Sequence, residues 1–398
     1  MTEICKKQEC VGCCACLSAC NKNAITMQPD SLGFLYPVID PNKCIDCGLC
    51  AKSCLNNHKS VYNEPLQTCI GYASDTNEQI SSTSGGIASV LMRNVLVNGG
   101  VVYGCSGENA RDVRHVRIEA PNDIDRLKGS KYVQSYMGLS YKKVVEDLKA
   151  PRIVLFIGTP CQVAGLKAYL NDKTYSNLYT IDFVCHGVPS QQILNDAIDA
   201  EVSGSYDLRL VNRVKLDGKE SKYTLRLLKE NKIVVDDVYP SEGYITGFLC
   251  GLYYRESCYK CKFSRRERVS DITLGDFWDR QNKVQGLINK GNGLSMIMAN
   301  TESGEYLLAL SQDSFESIAW SYDDFILRNG QLKQPIKRHS KRDLFEKLYK
   351  SVGYEMALAN TIHDDLKNIR KNLMLDTMVE MINYVPILKT LYKKIKRK

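Results

Sequence analysis

Two runs of four cysteines within the first fifty-four residues constrain this chain more than any other feature. They read Cys10-x2-Cys13-x2-Cys16-x3-Cys20 and Cys44-x2-Cys47-x2-Cys50-x3-Cys54. Three closely spaced thiolates with a fourth set apart is the donor pattern of a 4Fe-4S cube, and in two-cluster modules the fourth cysteine of each run serves the other cluster. The spacing therefore predicts one cluster on Cys10, Cys13, Cys16 and Cys54, and a second on Cys44, Cys47, Cys50 and Cys20. A zinc-ribbon-like site is the alternative for any single CxxC, but zinc does not need three close thiolates plus a distant fourth.

This is the ligand spacing of a bacterial two-cluster ferredoxin. Residues 1–57 are accordingly read as an α+β ferredoxin-like dicluster module, with its small strands at Ala24–Met27 and Phe34–Ile39. Two departures stand out. Pro usually follows the fourth cysteine, whereas Asn21 and Leu55 stand there, so the turn is less rigidly fixed. Cys14 is an extra thiol beside Cys13, read as packed rather than ligating.

At 398 residues the chain is too long for one ordinary core. Its 17 cysteines, with no apolar h-region in the first ten residues, point to a reducing compartment and the cytoplasm. No stretch approaches the ~18 apolar residues of a membrane span. The net charge is +8, partly from Lys389, Lys393, Lys394, Lys396, Arg397 and Lys398, which follow Ile387, Leu388 and Leu391. Such a basic amphipathic end could touch anionic lipid peripherally or an acidic partner; a solvated helix end is the plain alternative. No recognised nucleic-acid motif accompanies the charge.

A polar linker at Asn56–Gln67 leads into a region of alternating strand and helix signals. Strands are expected at Ile70–Ala73, Val101–Cys105, Val113–Glu119, Arg152–Ile157 and Leu178–Val184, and helices at Ile87–Val97, Tyr141–Leu148, Gln162–Leu170 and Gln191–Glu201. From Leu208 the pattern turns β-rich, with Leu208–Leu216, Tyr223–Leu228 and Ile233–Val238. A helical stretch Gly243–Tyr254 and strands Ile272–Phe277 and Leu294–Ala299 follow. The last seventy or so residues read as helical, broken at Pro386. The expected domains are 1–57, an oxidoreductase domain at 68–330, and a basic helical extension at 331–398.

Four further cysteines could form a third metal site: Cys161, Cys185, Cys258 and Cys261. Cys161 follows a strand and, after Pro160, opens a helix, where the dipole favours a thiolate. Cys185 again ends a strand, so both fall at carboxyl edges of the sheet, where sites concentrate. Two buried free cysteines plus an unrelated CxxC is the alternative. His186, beside Cys185, reads as structural. Neither G-x-G-x-x-G nor G-x-x-x-x-G-K-[ST] occurs. Three segments could nonetheless hold an anionic cofactor: Ser82–Gly86, which opens a helix, Lys128–Tyr132, and Asp271–Asp279, rich in carboxylates and aromatics. Each has a plain reading too, as an N-cap turn, a solvated loop and a strand end.

Taken in order, these segments resemble the coenzyme F420 hydrogenase/dehydrogenase beta subunit family over most of the chain up to about Gly330. The resemblance rests on Ser84-Gly85-Gly86, Gly129 through Ser135, Gly158-Thr159-Pro160-Cys161-Gln162, Cys185-His186-Gly187, Cys258-x2-Cys261, Asp271 through Trp278, and Gly293-Leu294-Ser295. It implies an α/β FAD-binding domain of the F420 hydrogenase beta subunit type behind the dicluster module, with a helical C-terminal tail. It further implies FAD contacts from Ser84, Gly85, Gly86, Ser130, Lys131 and Tyr132, and a third 4Fe-4S cluster on Cys161, Cys185, Cys258 and Cys261. Many bacterial members look as though they work without F420, some in surface-polysaccharide pathways.

The chain is thus expected to be an iron–sulfur flavoprotein oxidoreductase. It would take electrons from ferredoxin or another low-potential redox protein and pass them through clusters to FAD and a small-molecule substrate or coenzyme. An electron-relay subunit without its own substrate site, or a non-catalytic scaffold, is the alternative. Cys5, Cys14, Cys69, Cys105 and Cys250 carry no assignment.

Overall fold

A computed structural model describes residues 3–204, 207–215, 221–278, 284–287 and 292–384. Both cysteine runs fold alike. The backbone is left-handed at the second and fourth residues after the first cysteine, at Gly12 and Cys14 in one run and at Asp46 and Gly48 in the other. Short helices then carry the third cysteine, α1 (Ala15–Ala19) with Cys16 and α2 (Leu49–Lys52) with Cys50. Between the runs, β1 (Ile25–Pro29) and β2 (Leu35–Ile39) pair antiparallel, Ile25 opposite Ile39.

The chain then alternates as its apolar runs predict. In order come β3 (Gln67–Ala73), α3 (Thr76–Ser81), α4 (Ile87–Val97), β4 (Val101–Ser106), β5 (Arg114–Ile118), α5 (Ser140–Asp147), β6 (Val154–Ile157), α6 (Pro160–Tyr169), β7 (Leu178–Phe183) and α7 (Gln191–Glu201). An antiparallel meander follows, β8 (Arg209–Lys215), β9 (Ser221–Lys229) and β10 (Lys232–Val238), then α8 (Tyr244–Leu249). The remainder is β11 (Ile272–Phe277), β12 (Leu294–Ala299), α9 (Glu302–Ala309), β13 (Phe315–Ala319), α10 (Tyr322–Arg328), α11 (Arg342–Val352) and α12 (Tyr354–Tyr384).

Among the described residues, eight strands form the main sheet in the order β13-β3-β12-β11-β7-β6-β4-β5. Its centre, β4, β6, β7 and β11, is parallel, and antiparallel strands close both sides. Strands buried on both faces need continuous apolar runs, and β6 and β12 are such runs. Alternation then sorts the two faces. Leu155 packs with α4 and α9, whereas Val154 and Phe156 pack with α5, α6 and the N-terminal module, where Cys13, Cys14, Ala15 and Leu55 join the same core. A second core gathers the meander, α7, α8, α11 and α12, and Leu32 and Phe34 of the module anchor in it.

Two expectations differ from the structure. The helix read as Gly243–Tyr254 ends at Leu249, because Gly251 turns left-handed with φ +68° and reverses the chain. Conversely β13 carries no strand signal in the sequence: Phe-Glu-Ser-Ile-Ala is half polar, as an edge strand permits. Helices α11 and α12 place Phe345, Tyr349, Tyr354, Leu358 and Ile362 in the second core. Among the described residues no helix is long and apolar enough to cross a membrane. The break at Pro386 and the basic end from Ile387 to Lys398 lie outside the described residues.

Candidate metal centres and cofactor site

The eight N-terminal cysteines divide between two cavities as the crossed spacing predicts. Cys10, Cys13, Cys16 and Cys54 line one, shared with Cys5 and Cys14. Cys20, Cys44, Cys47 and Cys50 line another, larger one. The environments differ. The first set is buried throughout, whereas in the second Cys47 is exposed and its three companions are half-buried. Among the described residues no three His, Cys, Asp or Glu side chains close to single-ion distance. Four thiols line each cavity, the donor set of a 4Fe-4S cube.

The alternating left-handed residues Gly12, Cys14, Asp46 and Gly48 curl each run around its cavity, the backbone form that cradles anionic groups. The Asp46 amide donates to Cys44 Sγ at 3.4 Å and the Ala24 amide to Cys20 Sγ at 3.3 Å. In the buried set the Cys5 thiol hydrogen-bonds to Cys10 and Cys54, lowering them to about 6 and about 7 while its own pKa rises. Burial raises Cys13 and Cys16. Four crowded thiols of this kind become thiolates on metal binding, so their donor chemistry fits a cluster.

Cys161, Cys185, Cys258 and Cys261 also come together. Strands β6 and β7 are parallel neighbours, so Cys161 and Cys185 emerge from one sheet edge. Cys258 and Cys261 approach on a 3-10 turn at Glu256–Lys260. Burial raises Cys161 to about 11, Cys258 to about 12 and Cys185 strongly, with the neighbouring thiols of the same set adding to each. Thr159 and Gln162 form a capping box at the start of α6 that fixes Cys161, and Gln162 Nε2 donates to Ser135 Oγ at 3.0 Å.

One residue that sequence reasoning missed lies between the first and third thiol sets. Arg255 is 1% exposed. Its Nε donates to the Cys10 carbonyl at 2.8 Å, Nη1 to Gln134 Oε1 at 3.2 Å and Nη2 to the Leu35 carbonyl at 2.5 Å, with Nη2 4.0 Å from Cys10 Sγ. Its own carbonyl accepts from the Cys258 amide at 2.9 Å. Nothing local marks it; only the proximity of Cys258 in sequence could have drawn attention to it.

The three segments singled out for an anionic cofactor also converge, and β8 joins them. Asn212 Oδ1 accepts from the Tyr132 amide at 2.8 Å. Arg213 pairs with Asp276 and stacks over Trp278 and Tyr223, at 5.1 and 5.2 Å from the ring centroids. Lys215 Nζ donates to the carbonyls of Gln79 at 2.6 Å and Ser84 at 2.7 Å, and to that of Asn292. Arg213 and Lys215, like Arg255, escaped the sequence reading. Ser84 Oγ donates to the Leu294 carbonyl at 2.7 Å, and the Gly85 amide to Ser295 Oγ at 3.0 Å. A Cβ on Gly85 would stand 2.4 Å from the Gly71 carbonyl oxygen, so only glycine lets the loop lie this close to β3. Gly86 turns left-handed at φ +87° to start α4. Lys131 is turned inward: Nζ donates to the carbonyls of Leu127 at 2.6 Å and Lys128 at 2.9 Å, and burial lowers it to about 8. Ser130 lies beside it, and Tyr132 stacks on Phe248 with centroids 4.4 Å apart.

The unassigned cysteines fall in varied places. Cys69 is buried in β3 and Cys105 sits in β4 near Lys131; Cys250 follows α8. Cys14 is buried, its Sγ 3.6 Å from the Gly12 carbonyl oxygen.

A two-cavity cysteine module docked on a mixed α/β sheet defines an iron–sulfur protein of the electron-transfer class. Residues 9–57 match the 4Fe-4S dicluster domain, and residues 152–317 match the C terminus of the coenzyme F420 hydrogenase/dehydrogenase beta subunit. Those two segments are what the chain shares with the two families. A chain of the F420-reducing [NiFe] hydrogenase complex from Methanosarcina barkeri is similar at 17% identity and TM-score 0.45, the match covering 76% of this chain and 92% of that one. No curated protein matches the chain.

Proposed function

We propose that the protein is an iron–sulfur flavoprotein oxidoreductase. Cys10, Cys13, Cys16 and Cys54 would hold one 4Fe-4S cluster, Cys20, Cys44, Cys47 and Cys50 a second, and Cys161, Cys185, Cys258 and Cys261 a third. The observation that carries the reading is the division of eight cysteines between two cavities with the fourth ligands exchanged. Burial orders the path: the solvent-open set receives electrons from a ferredoxin-like donor, the buried set is intermediate, and the set at the sheet edge leads into the large domain. FAD, when bound, would couple one-electron arrivals to two-electron chemistry on a small organic substrate or an F420-type coenzyme. The chain's own residues have simpler tasks. Gly85 and Gly86 let the backbone approach the cofactor, Lys215 and Ser295 hold that loop, and Ser130 and Tyr132 bound the other side. The cytoplasm is the compartment that suits the reduced thiols.

A second reading, an electron-relay subunit with no substrate site of its own, is favoured by one observation. Lys131, among the expected flavin contacts, and Lys215, which holds the Ser84 loop, already donate to backbone carbonyls. Iron, acid-labile sulfide and extractable flavin, measured per chain on protein purified without oxygen, separate the two. About twelve iron atoms and one FAD support the flavoprotein. About eight iron atoms without flavin support the relay and remove the third cluster.

A further inference from the structure

We infer that Arg255 is the built-in counter-charge of the buried cluster: its guanidinium holds the centre on Cys10, Cys13, Cys16 and Cys54 at a higher reduction potential than burial alone would allow. The inference rests on reading those four cysteines as cluster ligands. A fully buried cation needs an anion. Among the described residues no carboxylate pairs with Arg255, and its sequence neighbour Glu256 is taken by Arg338 at 3.0 Å. Its partners are the carbonyls of Cys10 and Leu35, the Gln134 amide oxygen and the sulfur of Cys10, with the rings of Tyr36 and Phe34 at 4.4 and 5.5 Å from Cζ. Of these only the Cys10 sulfur can carry a negative charge, and it is one of the four proposed cluster ligands. A cube held by four thiolates supplies one within reach of Nη2.

The surroundings are shaped for this placement. Gly12, inside the first run, is left-handed, and a Cβ there would stand 3.0 Å from Arg255 Cζ and 2.7 Å from Gln134 Nε2. The run is therefore drawn onto the guanidinium by a residue with no side chain. Ser257 Oγ donates to the same Cys10 carbonyl at 3.2 Å, and Gln134 Nε2 to that of Val11 at 2.7 Å.

Adding an electron makes a cluster one unit more negative, and burial away from water opposes that. A fixed positive charge and a hydrogen bond to a ligand sulfur favour it, and these are levers that set cluster potentials. The second set, with Cys47 exposed and its companions half-buried, has water in that role. Arg255 keeps the intermediate centre from becoming an uphill step between the solvent-open set and the third set, whose Cys258 amide binds its carbonyl.

The test is an EPR-monitored redox titration with iron analysis, on the full-length holoprotein purified without oxygen, comparing wild type with Arg255→Gln and Arg255→Lys. Arg255→Gln is expected to lower the midpoint of one cluster signal by at least tenfold in its one-electron equilibrium, about 59 mV, and to leave the other N-terminal signal in place. If that variant instead loses about four iron atoms per chain, Arg255→Lys decides, because it keeps the charge and removes the fork. Iron restored by lysine, with the signal near its wild-type midpoint, supports the counter-charge. A glutamine variant with full iron and unmoved midpoints overturns it, as does a lysine variant that loses the cluster like glutamine. A wild-type protein with no cluster on the buried set would instead sink the underlying cluster assignment.

Discussion

The sulfur of Cys13 rests on Gly165 of α6: a Cβ on Gly165 would stand 3.0 Å from Cys13 Sγ, 2.9 Å from Cys13 Cβ and 2.8 Å from the Tyr141 hydroxyl. The helix that begins with Cys161 thus packs directly on the first cysteine run, which brings the buried and third thiol sets together.

Gly165→Ala is expected to destabilise the protein. Alanine suits a helix better than glycine by about 1 kcal/mol. The contacts cannot yield easily, because Cys13 Cβ is one bond from the backbone and the Tyr141 hydroxyl donates to the Gln162 carbonyl at 2.7 Å. Overpacking of this kind costs about 1–3 kcal/mol, so the net change is a loss. Thermal unfolding should show a lower midpoint, and iron analysis a loss of up to four atoms per chain; an unchanged protein would mean the contact is slack.

The exchange of fourth ligands has a direct test. Cys54→Ser should remove the signal of the buried cluster, although Cys54 closes the second run in sequence, and Cys20→Ser should remove that of the solvent-open one. Each variant is expected to lose about four iron atoms. The opposite pattern, with each substitution abolishing the cluster of its own run, would refute the crossed partition.

His115 provides a pH dependence. It is buried and stacked on Phe156 with centroids 5.5 Å apart, with Nε2 3.0 Å from the Ile157 carbonyl oxygen and Nδ1 2.8 Å from Ser135 Oγ. The carbonyl requires Nε2 to carry the proton, so Nδ1 accepts from Ser135. Burial lowers the pKa to about 4. The unfolded chain, with an ordinary value near 6.5, therefore binds more protons between those limits, and stability falls as pH drops from about 6.5 towards 4. The full effect is on the order of 3 kcal/mol. Unfolding free energies of the wild type and His115→Gln across that range should differ in slope, the variant being flatter; equal slopes would remove His115 as the cause.

Lys215→Met should loosen the loop at Ser84. Three backbone carbonyls lose their donor, and an unsatisfied buried acceptor costs about 1–3 kcal/mol. Flavin retained through gel filtration is expected to fall at least fivefold while iron stays constant. Unchanged flavin would place the cofactor away from this loop.

The sequence marked well what is periodic or locally patterned. Val154–Ile157 and Leu294–Ala299 announce themselves because strands covered on both faces need near-continuous apolar runs. The crossed cavities follow from spacing alone. What stayed hidden depends on distant partners. Phe315–Ala319 pairs with Gln67–Ala73, and its half-polar pattern carries no trace of that. Arg213, Lys215 and Arg255 look like any surface cation until the fold buries or engages them. Lys131 shows the reverse case: the five-residue segment around it reads as an anion-binding or solvated loop, and the chain turns its ammonium onto the carbonyls of Leu127 and Lys128.

The bond from Arg255 to Cys10 joins residues 245 apart. During synthesis the first run emerges long before the strand edge, the Gln134 segment and Arg255 that cover it. A contact of such long range closes late in synthesis. The inner thiols therefore spend the nascent stage bare, available to the machinery that delivers iron and sulfide and equally to oxidants. The outer cavity keeps its opening in the finished fold. The window for loading the inner centre in this way closes as the chain is completed, and that for the outer one does not.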